Sequence, residues 1–486
     1  MNFSTGFWLF ARVTGLAYFF AFFSLLPQIP GLIGPDGILP AQYLLQRVTE
    51  IVGPHSTFLA LPSLAWLLGA TDASLRLTAF LGLLSSLALT AGLLRPISAA
   101  LSWLSWLSFV NIGQDFLSFQ WDTLLLEAGF LIMFLEKPGL LPRPPGSDTP
   151  PRFIQWALWF LLARLMFSSG MVKILSGDPT WADLSAMTYH FETQPIPNPL
   201  AWFIHQLPPL FLKLSTIFTF AIELLLPFAI LFPQPKARLT ASLGFLSLMT
   251  LIALTGNYAY FNLLTAALCL TFIDNRYYPS FLSRNTVPLP WTPVPWRHLA
   301  SIAALLQLSL AFPVLLSTLG LSSRSSVTPW ENSLAPWHLT SGYGLFAVMT
   351  TRRPEITLDQ SPDGQTWEPI QFPYKAGPPE RLPPQIAPFQ PRLDWQMWFA
   401  ALSAERGQLP GWFSPFLKQL QQGSPQVWNL LSSKPKSNPN NYLRLRLDQY
   451  HFTTPAERST TGHWWKITPG PVLLVLPPEG TKPQAP

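Results

Sequence analysis

The stretch QDFLSFQWDTLLLEAGFLIMFLE, residues 114–136, sets Asp115, Gln120, Asp122 and Glu127 in the first half of an otherwise apolar run. Arg12, Arg164, Lys173 and Glu223 interrupt other apolar runs. Carboxylates and cations in such runs pair with each other, line a wet cavity, or hold a proton for chemistry. On a helix, Asp115 and Asp122 are seven apart and share one stripe. Gln120, Thr123 and Glu127 share a second. A lone charge at a bilayer centre costs roughly 2.5–3.5 kcal/mol, so Arg12, Asp122, Glu127, Arg164, Lys173 and Glu223 would together cost on the order of 15–20 kcal/mol unpaired. Three are acidic and three basic, which predicts inward-facing pairs or a polar hollow.

Asp122, Glu127 and Lys173 fall at one predicted depth and are the candidates for a polar cavity. Lys173 is the candidate base there, because burial lowers a lysine pKa. Arg12, Arg164 and Glu223 stand alone on their helices and fit packing ion pairs as well as a site. Gln120, His190, Glu192, Asn257 and Asn262 are candidate binding residues near the same end. His190-Phe191-Glu192, with His205 fifteen residues on, matches no metal-ligand spacing; hydrogen bonds that order a loop are the simpler expectation.

The elements that must position these residues are membrane helices. The chain has 486 residues, 49 % hydrophobic and 11 % charged, against about a quarter charged in soluble domains. Apolar runs predict helices near 7–27, 74–94, 96–112, 115–136, 153–175, 209–232, 237–255, 257–274 and 298–321. Segment 56–70 contains a proline and is too short to span comfortably, so it is predicted to be interfacial or re-entrant. The N-terminal run lacks a basic leader and carries Arg12, which predicts a retained first helix.

Short-loop basic residues set the predicted orientation. Arg95, Lys137, Arg143, Arg152, Lys236, Arg238, Arg276, Arg284 and Arg297 fall in one set of loops, whereas loop 176–208 and the turn at 256 have none. About nine crossings then put the N-terminus in the cytoplasm and residues 322–486 outside. The expected fold is an all-α polytopic membrane domain, residues 1–321, with a C-terminal extramembrane β-rich α+β domain, residues 322–486. Within the latter, GLFAVMTT (344–351), EITLDQ (355–360), TWEPIQF (366–372) and YLRLRLDQY (442–450) read as strands, with a turn at SPDG (361–364). RLDWQMWFAALSAER (392–406) has helical spacing, and the tryptophans of 395–412 read as core.

Several function classes have no support. The charge of +6 is modest and scattered, so a nucleic-acid partner is not expected. No internal repeat points to an inverted-repeat transporter. No G-x-S-x-G, H-E-x-x-H, phosphate loop or G-x-G-x-x-G is present, and no cofactor or metal is expected. The single cysteine, Cys269, excludes a disulfide within the chain and favours a bacterial cytoplasmic membrane.

Three long stretches carry a family resemblance. NIGQDFLSFQWDTLLLEAGF, RLMFSSGMVKILSGDPTWADLSAMTYHFETQPIPNPLAWFIHQLP and LTGNYAYFNLLTAALCLTFIDN, with APFQPRLDWQMWFAAL further on, resemble the lipase maturation factor family. That resemblance implies a polytopic protein, resident in the endoplasmic reticulum in eukaryotes, that assists folding and assembly of exported clients such as lipases. It implies a chaperone-like role rather than catalysis, with membrane lipid and an exported client as partners. A more distant resemblance joins Gly170-Met171-Val172-Lys173-Ile174 and Trp181 to a Gly-Val-Lys-Lys-Leu…Trp stretch of the vitamin K-dependent γ-carboxylases. It puts Lys173 at that family's base position, with Val172 in place of the first lysine. The corresponding alternative is a membrane-embedded enzyme acting on a quinone-like or lipid substrate with Lys173 as base.

Overall fold

A computed structural model describes residues 2–282, 294–322, 329–434 and 441–478. Each predicted membrane segment contains a helix: α1 Ser4–Leu25, α2 Asp72–Ala91, α3 Ile97–Ile112, α4 Gln120–Ile132, α5 Arg152–Leu175, α6 Pro209–Leu225, α7 Pro235–Thr255, α8 Phe261–Leu270 and α9 Val294–Thr318. Six are long and apolar enough to cross a membrane: α1, α2, α5, α6 with its 3₁₀ extension to Leu231, α7 and α9. The other three have 16, 13 and 10 residues, so at 1.5 Å per residue they run about 24, 20 and 15 Å. These short helices are the deeply buried ones: Trp106, Trp121, Leu124, Leu125, Leu264 and Leu268 are fully enclosed. Helices screened from lipid by longer neighbours need not match the bilayer thickness.

Helix termini follow local chemistry. Thr71 caps α2 by accepting from the Ser74 N–H, and Gly92 closes the helix at φ +77°. A Cβ on Gly92 would lie 2.7 Å from the Arg12 guanidinium, so glycine serves both the left-handed turn and the close approach. The predicted continuous helix 115–136 does not form. Residues Gln114–Leu117 make a 3₁₀ turn entered at φ +49° on Gln114, and the α-helix begins only at Gln120. Asp115 is therefore exposed and off the face of Asp122, which corrects the expected Asp115–Asp122 stripe.

Segment 56–70 holds only the short helices Thr57–Ala60 and Ala65–Leu68. The basic loops gather at one end of the bundle. Arg95 pairs its backbone with Gly139, Arg95, Lys137 and Arg143 surround Asp148, and Asn2 bonds Asp274. Arg284 lies outside the described residues.

At the opposite end sits an antiparallel five-stranded sheet, order β2-β1-β3-β4, with β5 also paired to β3. Its strands are β1 Pro354–Ser361, β2 Glu368–Ile370, β3 Tyr442–Phe452, β4 Trp465–Thr468 and β5 Val472–Leu476. β3 alternates as predicted: Leu443, Leu445 and Leu447 are buried, while Arg444 and Arg446 reach Asp359 on β1. Helix α10, Arg392–Ala404, packs between β1 and the bundle. Trp395, Trp398 and Trp412 are buried, as the core reading expected. Trp395 meets Trp121 edge-on at 4.8 Å, and Trp412 meets Phe116 at 5.6 Å. One hydrophobic core runs from the bundle into the C-terminal region.

Candidate functional site: a strapped groove over buried ion pairs

The intramembrane charges pair. Asp122, wholly buried, accepts from both terminal nitrogens of Arg392 at 2.9 Å each and from the Tyr260 hydroxyl at 2.5 Å. Glu127 pairs with Arg164 and accepts from the Tyr343 hydroxyl at 2.6 Å. Lys173 donates to the two oxygens of Glu223 at 2.9 and 2.7 Å and to the Ser169 carbonyl at 2.9 Å. Arg12 forks onto Glu136 at 2.8 and 3.1 Å. Each charge is answered locally by an opposite one, which is what burial demands, although the Nε atoms of Arg12, Arg164 and Arg392 have no partner among the described residues.

Asp122, Glu127 and Lys173 therefore do not share one hollow. Only Lys173 lines a chamber, with Glu223 as its carboxylate; Asp122 and Glu127 are not among the residues that line it. The physical reason is charge balance: each acid found its own cation, and two of the pairs reach into the C-terminal region instead of across a cavity.

The stripe of Gln120 and Glu127 does hold, and it grips a strap, residues 340–349. The Gln120 side-chain oxygen accepts from the Gly344 N–H at 3.1 Å, and Glu127 holds Tyr343. Arg164 adds bonds to the Thr340 hydroxyl at 3.0 Å and the Ser341 carbonyl at 2.7 Å. Further along, Trp181 donates to the Phe346 carbonyl at 3.0 Å, and Asp178 accepts from the Met349 N–H at 2.6 Å. These side chains claim backbone groups that a sheet neighbour would otherwise take, so the predicted strand 344–351 does not form. A Cβ on Gly344 would sit 2.5 Å from Val172; only glycine lets the strap lie this close to α5.

Between the strap and α10 runs a groove of about 660 Å³, lined by Phe346, Val348, Trp395, Trp398, Phe399 and Leu402. Arg352, Glu405 and Arg406 complete its lining with charge. Val348 and Phe399 are 66 % and 42 % exposed, so the groove presents apolar surface. Beneath Phe346 lies a smaller chamber of about 100 Å³ that shares Tyr258, Leu345 and Phe346 with the groove.

Glu192 and Asn257 order loops. Glu192 accepts from the Phe452 N–H at 2.7 Å and sits 3.0 Å from His451 and 3.6 Å from His205. Burial pushes the His205 pKa down, against the pull of Glu192. Asn257 donates to the carbonyls of Ile196 and Pro384 and accepts from the N–H groups of Ile386 and Ala387. Asn262 is buried with its side-chain oxygen unpartnered among the described residues. His190 lines the chamber, and burial pushes its pKa down to about 4. Among the described residues no group of three or more His, Cys, Asp and Glu side chains is arranged to hold a metal.

Residues 6–280 match the family model described as the lipase maturation factor transmembrane domain, and residues 339–469 that of the lipase maturation factor C-terminal domain. The chain belongs to the lipase maturation factor family. It is 33 % identical to lipase maturation factor 2 of Homo sapiens, over 94 % of this chain and 80 % of that protein. It is 31 % identical to lipase maturation factor 1 of Mus musculus, over 94 % of this chain and 85 % of that protein. No solved structure matches. This family member is a multi-pass integral membrane protein.

Sequence reasoning missed Arg392, Tyr343, Glu136 and Arg353 as partners. Arg353, fully buried, donates to the carbonyls of Glu192, Gln194 and Pro195 and to Glu355. One signal was available: charge neutrality requires a cation for Asp122, and Arg392 opens the one strongly apolar helical pattern of the C-terminal region.

Proposed function

We propose that this chain assists the folding or assembly of exported lipases, and that the groove between the strap and α10 receives an apolar segment of the client. Family membership supports the lipase as client class; the relatives are named for lipase maturation. The single observation that carries the site is the groove itself: exposed Val348 and Phe399 over buried tryptophans, fixed to the bundle by ion pairs. Aromatic, preorganised apolar surface with a charged border suits recognition of partly folded chains.

We further read residues 1–321 as the membrane domain, with the N-terminus cytoplasmic, and residues 322–486 as exoplasmic in a bacterial cytoplasmic membrane. The gathering of Arg95, Lys137 and Arg143 at the end opposite the sheet favours this orientation. The other reading, catalysis with Lys173 as base, has less behind it. The ammonium is already engaged with both Glu223 oxygens and the Ser169 carbonyl, the arrangement of a structural cation. The test is a photo-crosslinking amino acid at position 399 in cells that coexpress a secreted lipase. Capture of the lipase supports the reading; cross-links to lipid alone contradict it.

A further inference from the structure

We propose that the chamber beneath Phe346 binds a neutral membrane lipid with a hydroxyl head, of the acylglycerol class. The inference concerns a different ligand from the client and does not depend on it.

The hydrogen-bond network fixes what the chamber offers. Gln194 donates through its side-chain amide to the carbonyls of Thr255 at 2.7 Å and Phe191 at 3.3 Å, so its oxygen is left to accept from the Tyr258 hydroxyl at 3.1 Å. With that hydroxyl proton committed, the His190 Nε2 at 3.4 Å must be the donor to Tyr258. In a neutral imidazole the other nitrogen then carries a lone pair. That nitrogen, Nδ1, is buried and has no partner among the described residues. The Lys173 ammonium is turned onto Glu223 and the Ser169 carbonyl, and the Glu223 oxygens keep lone pairs. The chamber thus presents acceptors, and a hydroxyl is the head group that satisfies them.

Charge selects further. Lys173 and Glu223 cancel, and burial keeps His190 neutral. An anionic head would enter without a counter-ion and lose its hydration. The remaining walls are apolar, including Met166, Leu248 and Met249. Leu251 and Leu254 on α7 are half-exposed on the outside of the bundle, which puts lipid beside the chamber. Its volume of about 100 Å³ admits several waters, since each needs only about 10–15 Å³ of such space. That is room for a head group, with the tail running outward.

Phe346 closes the side toward the groove. It holds φ +56°, a left-handed conformation that is an outlier for a bulky residue and that concentrates at clamps and switches. Its ring packs edge-on against His190 at 4.8 Å and Tyr258 at 5.9 Å.

The test uses the full chain in phosphatidylcholine nanodiscs with three photoreactive probes of one acyl chain: monoacylglycerol, methyl ester and free acid, each with the diazirine next to the head. The monoacylglycerol should label peptides spanning 165–190 and 245–261 at least tenfold more than the other two. His190→Phe should bring it down to the ester level, and Thr219→Trp, which fills the chamber, should abolish it. Labelling of lipid-facing Phe211 and Phe218 should persist in both variants, showing that they remain inserted. Equal labelling by the three probes, or labelling insensitive to both substitutions, overturns the proposal.

Discussion

Arg392 opens helix α10 in the C-terminal region and forks onto both oxygens of Asp122, a residue of the membrane bundle. Both side chains are fully buried, and the guanidinium also donates to the Phe116 carbonyl at 2.7 Å. The pair anchors the start of α10, whose Trp395, Trp398 and Phe399 form one wall of the groove that we assign to the client.

Removing one partner of such a pair leaves a buried charge unanswered, at a cost of about 3–5 kcal/mol. Arg392→Met and Asp122→Leu should each destabilise the purified protein by that order. The double substitution should recover most of the loss, since two apolar side chains of similar volume replace the pair. Thermal unfolding in detergent, or resistance of residues 392–404 to proteolysis, reads the outcome.

The strap yields a second expectation. Tyr343→Phe removes a hydrogen bond to the charged Glu127, worth about 1.5–3 kcal/mol. Amide hydrogen exchange of residues 343–349 should accelerate, while exchange within α5 stays unchanged. An effect spread evenly over the bundle would contradict the local role assigned to Tyr343.

Asp394 supplies a pH dependence. Burial raises its pKa to about 6, against the lowering effect of bonds from the N–H groups of Lys375 and Tyr374. The unfolded value is about 3.9, so between pH 4 and 6 the folded state binds more protons than the unfolded one. This group's contribution therefore falls as pH rises through that window, by about 3 kcal/mol at most. Asp394→Asn keeps an acceptor for the two N–H groups and should flatten that part of a stability-versus-pH curve by the corresponding amount.

The groove predicts a separation of function from stability. Val348→Asp and Phe399→Asp change exposed positions, so the unfolding midpoint should move little. Client cross-linking should drop severalfold, because a charge in an apolar docking surface must be desolvated on binding.

Much of the bundle was legible because apolar length is a strong signal. Each predicted run, from 7–27 to 298–321, contains a helix, but the runs at 115–136 and 257–274 hold shorter helices than expected. Composition cannot distinguish a lipid-facing helix from one enclosed by its neighbours, and α4 and α8 are enclosed. The strap depends on tertiary hydrogen bonds from Gln120, Trp181 and Asp178, and the turn at Gln114 on bonds to the Leu39 carbonyl and from Gln396, which local propensity does not encode. In the candidate site, the need to pair Asp122 and Glu127 could be read from the energetics of burial. Their partners Arg392 and Tyr343 lie more than 200 residues away, beyond the reach of helical spacing. Lys173 and Glu223 line the same chamber, whereas the sequence sets Glu223 alone on its helix and so among the packing charges.

The central claim is tested most directly by secreted lipase activity per unit of lipase protein, in cells that express the lipase with the parent chain, with Val348→Asp/Phe399→Asp, or with neither. The account predicts high specific activity with the parent, and a fall toward the chain-free level with the groove variant at equal membrane abundance. Specific activity that is the same in all three cells would contradict it.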